Sequence, residues 1–313
     1  MKGTSPLSIG ILGATGLVGH ELLGVLAERG LPCDRLLASA RSAGARIPFA
    51  GRDLEVREAT PQTFEGLDLV LASAGATVAR ELLPGAAAQG VVCIDNSSAF
   101  RMDPDVPLVV PEVNPQALGE ARCIANPNCS TIQLVCALAP LERAFGLSSV
   151  RVATYQSLSG AGFASLRQLD EREAPLDVTP SVGEVDGDDV SVEEHKLRRE
   201  TQKILGRSVD VHATCVRVPT RVGHGEAVWV TTRDPLSLAD VRSVLEEAPG
   251  LTLDPSGQFT TPADVTGRDD VHVSRLRVVG RHELAMWVVA DNLRKGAATN
   301  AVQIAELVLA RDA

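Results

Sequence analysis

Asn126-Pro127-Asn128-Cys129-Ser130-Thr131 is the segment of this 313-residue chain with the clearest capacity for covalent chemistry. It follows a short apolar run at 123–125 and opens a strongly apolar helical pattern over 130–145. Cys129 therefore stands at a helix start, where unbonded N–H groups and partial positive charge favour a thiolate over a thiol and could stabilise an oxyanion. A single cysteine is more often a small buried hydrophobe. That plainer reading suits Cys33, Cys93, Cys136 and Cys215, each in or beside an apolar run, and Cys123 is taken as structural too. The six cysteines form no CxxC pair, a pattern of reduced thiols rather than of a disulfide framework or zinc site, so no metal is expected.

A thiolate nucleophile needs a proton-handling partner. Histidines stand at 20, 195, 212, 224, 272 and 282. His224, in Arg221-Val222-Gly223-His224-Gly225, reads as part of a glycine-flanked turn between two strands, from which a ring can reach a cleft. Position alone does not select it, because a lone turn histidine is more often just exposed. Glu193 and Lys196 are three apart on a predicted helix over 192–205 and share a face. Unaided, that spacing reads as an ordinary surface ion pair.

A second chemistry-bearing segment lies near the start. The apolar run at 7–12 leads into Gly13-Ala14-Thr15-Gly16-Leu17-Val18-Gly19 and then a helical pattern over 17–29. Glycines three apart allow a tight turn, close backbone approach to a pyrophosphate and close helix–strand packing, and the helix N-terminus attracts phosphate. The spacing is GxxGxxG rather than GxGxxG, so the strand–turn–helix context carries more weight than the glycines. After the next strand, 35–38, an enzyme using NAD would place an acid on the ribose hydroxyl. Here the chain reads Ser39-Ala40-Arg41-Ser42, which suits a 2′-phosphate and points to NADP; the plain alternative is a solvated Arg41.

The elements that must position these residues fall into two textures. Up to about residue 128, short apolar strands (7–12, 35–38, 67–72, 91–95) alternate with helices at 17–29 and 77–89, the latter with Pro84 able to bend or split it. Such alternation predicts an α/β fold, a Rossmann-like domain with a parallel sheet. Beyond it, longer strands at 149–156, 209–218, 227–232, 272–279 and 283–290 alternate apolar and polar residues, with helices at 130–145, 192–205 and 238–247, as in an α+β domain with one open sheet face. A stretch at 173–191 rich in Asp, Pro, Gly and Val reads as a surface loop, and 297–311 as a closing amphipathic helix. The expected division is 1–128 with 293–313 for the nucleotide domain and 129–292 for the catalytic and dimerisation domain.

Composition bounds the function. Hydrophobic residues are 44% and charged residues 22%, enough for a core without staples. A net charge of −10 and 3% aromatics argue against nucleic acid and against an anionic membrane surface. No apolar run approaches the roughly 20 residues of a membrane helix. Residues 1–6 are short and polar, so no signal peptide is read and a cytoplasmic protein is expected.

The chain closely resembles the bacterial aspartate-semialdehyde dehydrogenases. The resemblance rests on Gly13-Ala14-Thr15-Gly16, Asp95-Asn96-Ser97-Ser98-Ala99-Phe100-Arg101-Met102, Val110-Pro111-Glu112-Val113-Asn114-Pro115, the segment around Cys129, Tyr155-Gln156 with Ser159-Gly160-Ala161-Gly162, Cys215-Val216-Arg217-Val218-Pro219 with His224, and Val289-Ala290-Asp291-Asn292-Leu293-Arg294-Lys295-Gly296-Ala297, in the family's order over about 7–307. It implies a reversible, NADPH-dependent reduction of L-4-aspartyl phosphate to L-aspartate 4-semialdehyde and phosphate in lysine, threonine and methionine biosynthesis. It implies a Cys129 thioester, His224 as acid/base and Gln156 as substrate-orienting residue. Arg217 would clamp the substrate carboxylate, Glu193 would meet its ammonium, Lys196 and Arg101 would hold phosphate, and Asn128 would help shape the pocket. Cofactor contacts would come from Gly13, Ala14, Thr15, Gly16, Leu17, Val18, Ser39, Arg41, Ser42, Ser159, Gly160 and Asn292. A homodimer or a tetramer is implied as the assembly. The rival readings are an N-acetyl-glutamyl-phosphate reductase, for which Gly-Cys-Tyr-like neighbours are expected, a malonyl-CoA reductase, and a non-catalytic relative, which would lack the cysteine or histidine. The chain departs from the family in being shorter, with the missing residues expected around 174–191, and in having glycine rather than serine after His224.

Overall fold

Residues 7–171 and 177–312 are described in a computed structural model of the chain. The readings given above for residues 1–6 and for 173–176 of the loop lie outside them. By contacts the chain divides into two units: Met1–Pro111, Pro115–Asn126 and Ala297–Ala313 form one, and Glu112–Asn114 with Pro127–Gly296 form the other.

The first unit is built on β1 (Ile9–Leu12), α1 (Leu17–Glu28), β2 (Arg35–Ala38), β3 (Arg46–Phe49), β4 (Arg52–Glu58), β5 (Leu69–Ala72), α2 (Ala76–Ala88), β6 (Val92–Asp95) and β7 (Cys123–Ala125). Its sheet runs β3-β4-β2-β1-β5-β6-β7. It is parallel except for the β3–β4 pair, an antiparallel edge hairpin. The central strands IGIL and LVLA are buried along their whole length, as sheet strands covered on both faces must be. Ile9, Ile11, Leu22, Val25, Leu26 and Leu36 belong to one core cluster. The expected strand, helix and strand at 7–12, 17–29 and 35–38 are present with ends shifted by at most two residues. Pro84 does not split α2; Leu82, Leu83 and Ala86 around it are buried, and that packing outweighs one lost helical hydrogen bond. The β3–β4 hairpin was not expected, because exposed Arg46, Arg52, Asp53, Glu55, Arg57 and Glu58 interrupt its few apolar residues.

The second unit contains α3 (Cys129–Phe145), β8 (Leu147–Gln156), α4 (Phe163–Asp170), α5 (Val192–Leu205), β9 (Asp210–Arg217), β10 (His224–Thr232), α6 (Leu238–Glu246), β11 (Leu251–Leu253), β12 (Val271–Gly280) and β13 (Glu283–Ala290). The sheet order is β11-β12-β13-β10-β8-β9. One face is covered by α3, α5 and α6. On the other, Tyr155 and Trp229 are 39% and 46% exposed. The period-2 burial of β8 and β10 follows from this one-sided cover. The expected strands and helices here are all present, joined by the unforeseen α4 and β11. The loop at 177–191 is largely exposed, with isolated bridges Thr179–Arg217 and Val185–Ser191 tying it down. After β13 the chain returns to the first unit through one π-helical turn, Arg294–Ala298, and α7 (Thr299–Asp312), whose Ala301, Val302, Ile304 and Ala305 are buried in the first unit's core.

One expectation is corrected. His224 is not in a turn; it is the first residue of β10, fully buried and opposite Ala290 of β13. Its glycine neighbours reflect close approach rather than a loose turn. A Cβ on Gly225 would lie 2.2 Å from the Trp287 indole, and one on Gly223 (φ +89°) 2.3 Å from the Pro262 carbonyl oxygen.

Candidate active site

Asn128 caps α3, its Oδ1 accepting from the backbone N–H of Ser130 (3.0 Å) and Thr131 (3.4 Å), which fixes Cys129 as the first helical residue. This revises one expectation: those two N–H groups are committed to the cap and are not spare donors for an oxyanion. The backbone of Gly296 closes on Cys129, since a Cβ there would lie 2.9 Å from the Cys129 Cβ. Five other cysteines are buried or half-buried structural thiols; burial pushes Cys33 and Cys136 up to about 12 and Cys123 up to about 11.

The α5 residues converge on the α3 cap. Asn128 Nδ2 donates to Glu193 Oε1 at 2.8 Å, Lys196 Nζ meets Glu193 Oε2 at 3.0 Å, and Gln156 Nε2 donates to Glu193 Oε1 at 3.3 Å and to Ser130 Oγ at 2.8 Å. Burial pushes the Glu193 carboxyl up, but the Lys196 charge and these donors together outweigh it and hold the group below the usual carboxylate range. Glu200, seven residues on and so on the same helical face, accepts the Asn128 backbone N–H at 2.7 Å. The sequence reading missed Glu200, although its spacing from Glu193 was a signal.

His224 is held from the far side by a residue that was also missed. The Ser157 backbone N–H donates to His224 Nδ1 at 3.0 Å. A backbone N–H can only donate, so the proton of the neutral ring is on Nε2, which is buried and has no hydrogen-bond partner among the described residues. Burial first, then the Arg217 charge, push His224 down to about 3, so it is neutral at physiological pH. Arg217 Nη1 donates to the Ser157 carbonyl oxygen at 2.7 Å, so Ser157 is held by both Arg217 and the imidazole. Gly160 lies against the pair: a Cβ there would be 3.0 Å from Arg217 Nη1 and 3.3 Å from His224 Nε2. Asn292 Oδ1 accepts from Ser157 Oγ (3.0 Å) and the Gly223 N–H (2.8 Å), and its amide pairs with Ser159 Oγ at 2.9 Å, so Ser159 and Asn292 tie the ends of three segments together. The second unit thus gathers Asn128, Gln156, Glu193 and Lys196 in one hydrogen-bonded group at the helix start that carries Cys129, and Arg217, His224, Ser159, Gly160 and Asn292 in another.

The remaining predicted residues lie in the first unit. Gly13 (φ +87°) approaches the Ser73 carbonyl, where a Cβ would be 2.5 Å away, and Gly19 packs on Gly13 with a Cβ distance of 2.3 Å. Gly16 is the N-cap of α1. The first and third glycines therefore allow the tight turn and the close helix–strand packing. A cleft of about 490 Å³ is lined by Gly13, Thr15, Gly16, Ser39, Ser73 and Glu58, among others. Ala14 is buried beneath it, and Leu17 and Val18 begin α1. Arg41 and Ser42 follow Ser39 in a single 3₁₀ turn, with Arg41 exposed and Thr15 Oγ1 donating to Ser42 Oγ at 3.5 Å. Glu58, level with Ala38 across the β2–β4 pair, was not anticipated because β4 was not. Arg101 is buried, donating to the carbonyl oxygens of Asn126 (2.9 Å) and Asn96 (2.7 Å). No group of three or more possible metal ligands is found among the described residues.

Two family models match the chain: the NAD binding domain of semialdehyde dehydrogenase over residues 8–121 and the semialdehyde dehydrogenase dimerisation domain over 138–295. An aspartate-semialdehyde dehydrogenase of Bacillus subtilis is 44% identical over 334 aligned positions covering 96% of each chain. The crystal structure of aspartate semialdehyde dehydrogenase II complexed with ASA from Vibrio cholerae is 41% identical, with a TM-score of 0.94 over 98% of this chain and 99% of that one. The aspartate semialdehyde dehydrogenase with NADP from Candida albicans is 26% identical, with a TM-score of 0.84 over 98% and 99%. The chain belongs to the aspartate-semialdehyde dehydrogenase family.

Proposed function

We propose that the protein is an NADP-dependent, phosphorylating aspartate-semialdehyde dehydrogenase acting in amino-acid biosynthesis. The observation that carries this reading is the presence, in one unit, of a helix-start thiol and a buried neutral imidazole whose Nε2–H has no protein partner among the described residues. In the biosynthetic direction the Cys129 thiolate attacks the acyl carbon of L-4-aspartyl phosphate; the S–C bond forms, the C–O bond to phosphate breaks and a thioester remains. Arg217 holds the substrate carboxylate with its planar fork, Glu193 takes the ammonium, and Lys196 and Arg101 receive the phosphate. Gln156 would orient the substrate and Asn128 shape the pocket, both already donating to Glu193 at the helix start that carries Cys129. His224 Nε2–H hydrogen-bonds to the oxyanion of the intermediate, and as that oxygen re-forms the semialdehyde carbonyl the C–S bond breaks and the Cys129 thiolate leaves.

The glycine turn and α1 N-terminus fit a dinucleotide pyrophosphate: Gly13 and Gly19 are sites where any Cβ would collide with backbone, and a cleft of about 490 Å³ lies beside them. Gly13, Ala14, Thr15, Gly16, Leu17 and Val18 would hold the pyrophosphate, Ser39, Arg41 and Ser42 the 2′-phosphate, and Ser159, Gly160 and Asn292 the nicotinamide end. NADPH, when bound, supplies the hydride.

The assembly proposed is a homodimer, formed through the open sheet face that carries Tyr155 and Trp229, with pairing of dimers into a tetramer as the alternative; the dimerisation-domain match supports the former. A cytoplasmic location is proposed; among the described residues no helix is long and apolar enough to cross a membrane. The test is NADP reduction with L-aspartate semialdehyde, with and without phosphate. Phosphate-dependent turnover is expected. Turnover with coenzyme A instead would favour the malonyl-CoA reductase reading. The ionised Glu193 disfavours an N-acetylated substrate, which has no ammonium to offer it.

A further inference from the structure

Glu226 is the third residue of β10, two after His224 and on the same face of the strand. It is fully buried, opposite Thr154 of β8 and Val288 of β13, and neither carboxyl oxygen has a hydrogen-bond partner among the described residues. An acid in that position is costly and is not needed for packing, since Val228 and Val230 fill the equivalent places further along. Facing it is Gln133 of α3, one helical turn after Cys129. Gln133 Nε2 donates to the backbone carbonyl oxygen of His224 at 3.3 Å, while Gln133 Oε1 is buried without a partner. The structure therefore holds a buried acid and a neighbouring buried amide, each with unsatisfied oxygen, between the strand that begins with His224 and the helix that begins with Cys129.

We propose that Glu226 is a positioning residue of this active site: through the Gln133 carboxamide it locks β10 to α3 and so fixes His224 relative to Cys129. The two orphans satisfy each other in one chemical form only. With its nitrogen drawn to the His224 carbonyl, the Gln133 amide presents its oxygen, an acceptor, and a carboxyl group donates only when protonated. Burial holds that proton, raising the Glu226 carboxyl well above the usual range, with the Gln133 amide opposing it less strongly. The neighbouring groups do not reverse this. On β8, Thr154 and Gln156 are neutral; on β9, the Cys215 thiol is pushed up, by burial first; on α5, Glu193 and Glu194 are acids; on β10 itself His224 is neutral. Arg217 of β9 acts on His224. Loss of the proton would leave a buried carboxylate that draws the Gln133 nitrogen away from the His224 carbonyl. Because the folded-state affinity for the proton exceeds the unfolded one, the stabilisation is complete below the ordinary glutamate range and is lost as pH rises through the folded-state value.

The inference rests on the assignment of Cys129 and His224 as the reacting pair, and two readouts separate the two. The first needs no turnover: infrared difference spectra of the wild-type protein against Glu226→Gln at neutral pH should show a protonated carboxylic acid band lost in the variant. An ionised Glu226 overturns the proposal whatever the enzyme's activity. The second is kinetic. The wild type is expected to lose kcat as pH rises through the Glu226 value; Glu226→Gln, a neutral isostere with its own donor, is expected to keep kcat within about threefold at neutral pH and to lack that alkaline fall. Glu226→Leu and Gln133→Leu are each expected to lower kcat on the order of tenfold with little change in KM, a fraction of the loss that ~1 Å misplacement can cause. The double variant should be no worse than either single one, because both remove one link. Additive losses, a Leu variant with wild-type kcat, or a Gln variant that keeps the alkaline fall would each overturn it; if Glu226→Leu does not fold, Gln133→Leu and Glu226→Gln decide alone. A wild-type protein without dehydrogenase activity but with the acid band would defeat the functional assignment and leave the Glu226–Gln133 link standing as a structural one.

Discussion

The chemistry of the site is set by what each side chain is denied. Cys129 is the one thiol at a capped helix start, whereas Cys33, Cys93, Cys136 and Cys215 are buried with raised affinity for their protons. Cys129→Ala is therefore expected to abolish phosphate-dependent semialdehyde oxidation with an unchanged circular-dichroism melt; turnover above a small fraction of wild type would remove Cys129 from the mechanism. Arg217 has a more exacting proposed task, because the guanidinium that would clamp the substrate carboxylate also holds the Ser157 carbonyl at 2.7 Å, next to the N–H that orients His224. A lysine keeps the charge but loses the planar fork. Arg217→Lys should cost on the order of a hundredfold in kcat/KM for semialdehyde, as expected for ~1 Å misplacement of a reacting group. Near-normal semialdehyde kinetics in the folded variant would show that the arginine only braces the strand.

At the scale of elements, the start of α3 carries most of the organisation. Asn128 caps the helix with its oxygen and anchors Glu193 with its nitrogen, so one carboxamide couples α3 to α5. Asn128→Asp separates the two jobs. The carboxylate still caps the helix, but it replaces an N–H donor at 2.8 Å from Glu193 with a second negative charge. The expected result is little loss of helix content and a melting temperature lower by several degrees, equivalent to roughly 1–3 kcal/mol for an unsatisfied buried group, with the larger effect on semialdehyde KM. A variant as stable and as active as wild type would mean that the Asn128–Glu193 contact contributes nothing.

At the scale of the molecule, two surfaces have predicted readouts. The open face of the six-stranded sheet exposes 46% of Trp229 and, four residues along the β8–β10 pair, 39% of Tyr155, an apolar area that a second copy would cover. Trp229→Glu should shift the protein from dimer to monomer in light scattering at micromolar concentration; an unchanged dimer would place the interface elsewhere. In the first unit, Arg41 follows Ser39 at the end of β2 where an NAD-binding chain carries an acid. Arg41→Ala should raise KM for NADP by about tenfold while leaving that for NAD within about twofold, the share expected of one charge-assisted contact. Glu58, level with Ala38, is then the nearest remaining charge on the neighbouring strand, so Arg41→Ala should also narrow the preference between cofactors. Equal changes in both KM values would show that Arg41 does not read the phosphate.

The sequence by itself determined the parts whose causes are local. The apolar strands at 9–12 and 69–72, the capped start of α3, the bounds of α5 and β13, the glycine turn and the separation of Glu193 from Lys196 are all readable from spacing and cap chemistry. What it did not carry was any pairing that depends on register. The edge hairpin β3–β4 went unread because its charged alternation resembles a loop. His224 looked like a turn residue because two glycines flank it; only the packing of Trp287 and Pro262 against those glycines explains them. Ser157 and His224 are 67 residues apart, Asn128 and Glu200 72, and Gln133 and His224 91. Such contacts are fixed by which strands lie side by side and which helix covers them. Tertiary structure alone could therefore decide that the histidine is buried, neutral and protonated on Nε2, and that an uncharged acid stands beneath it.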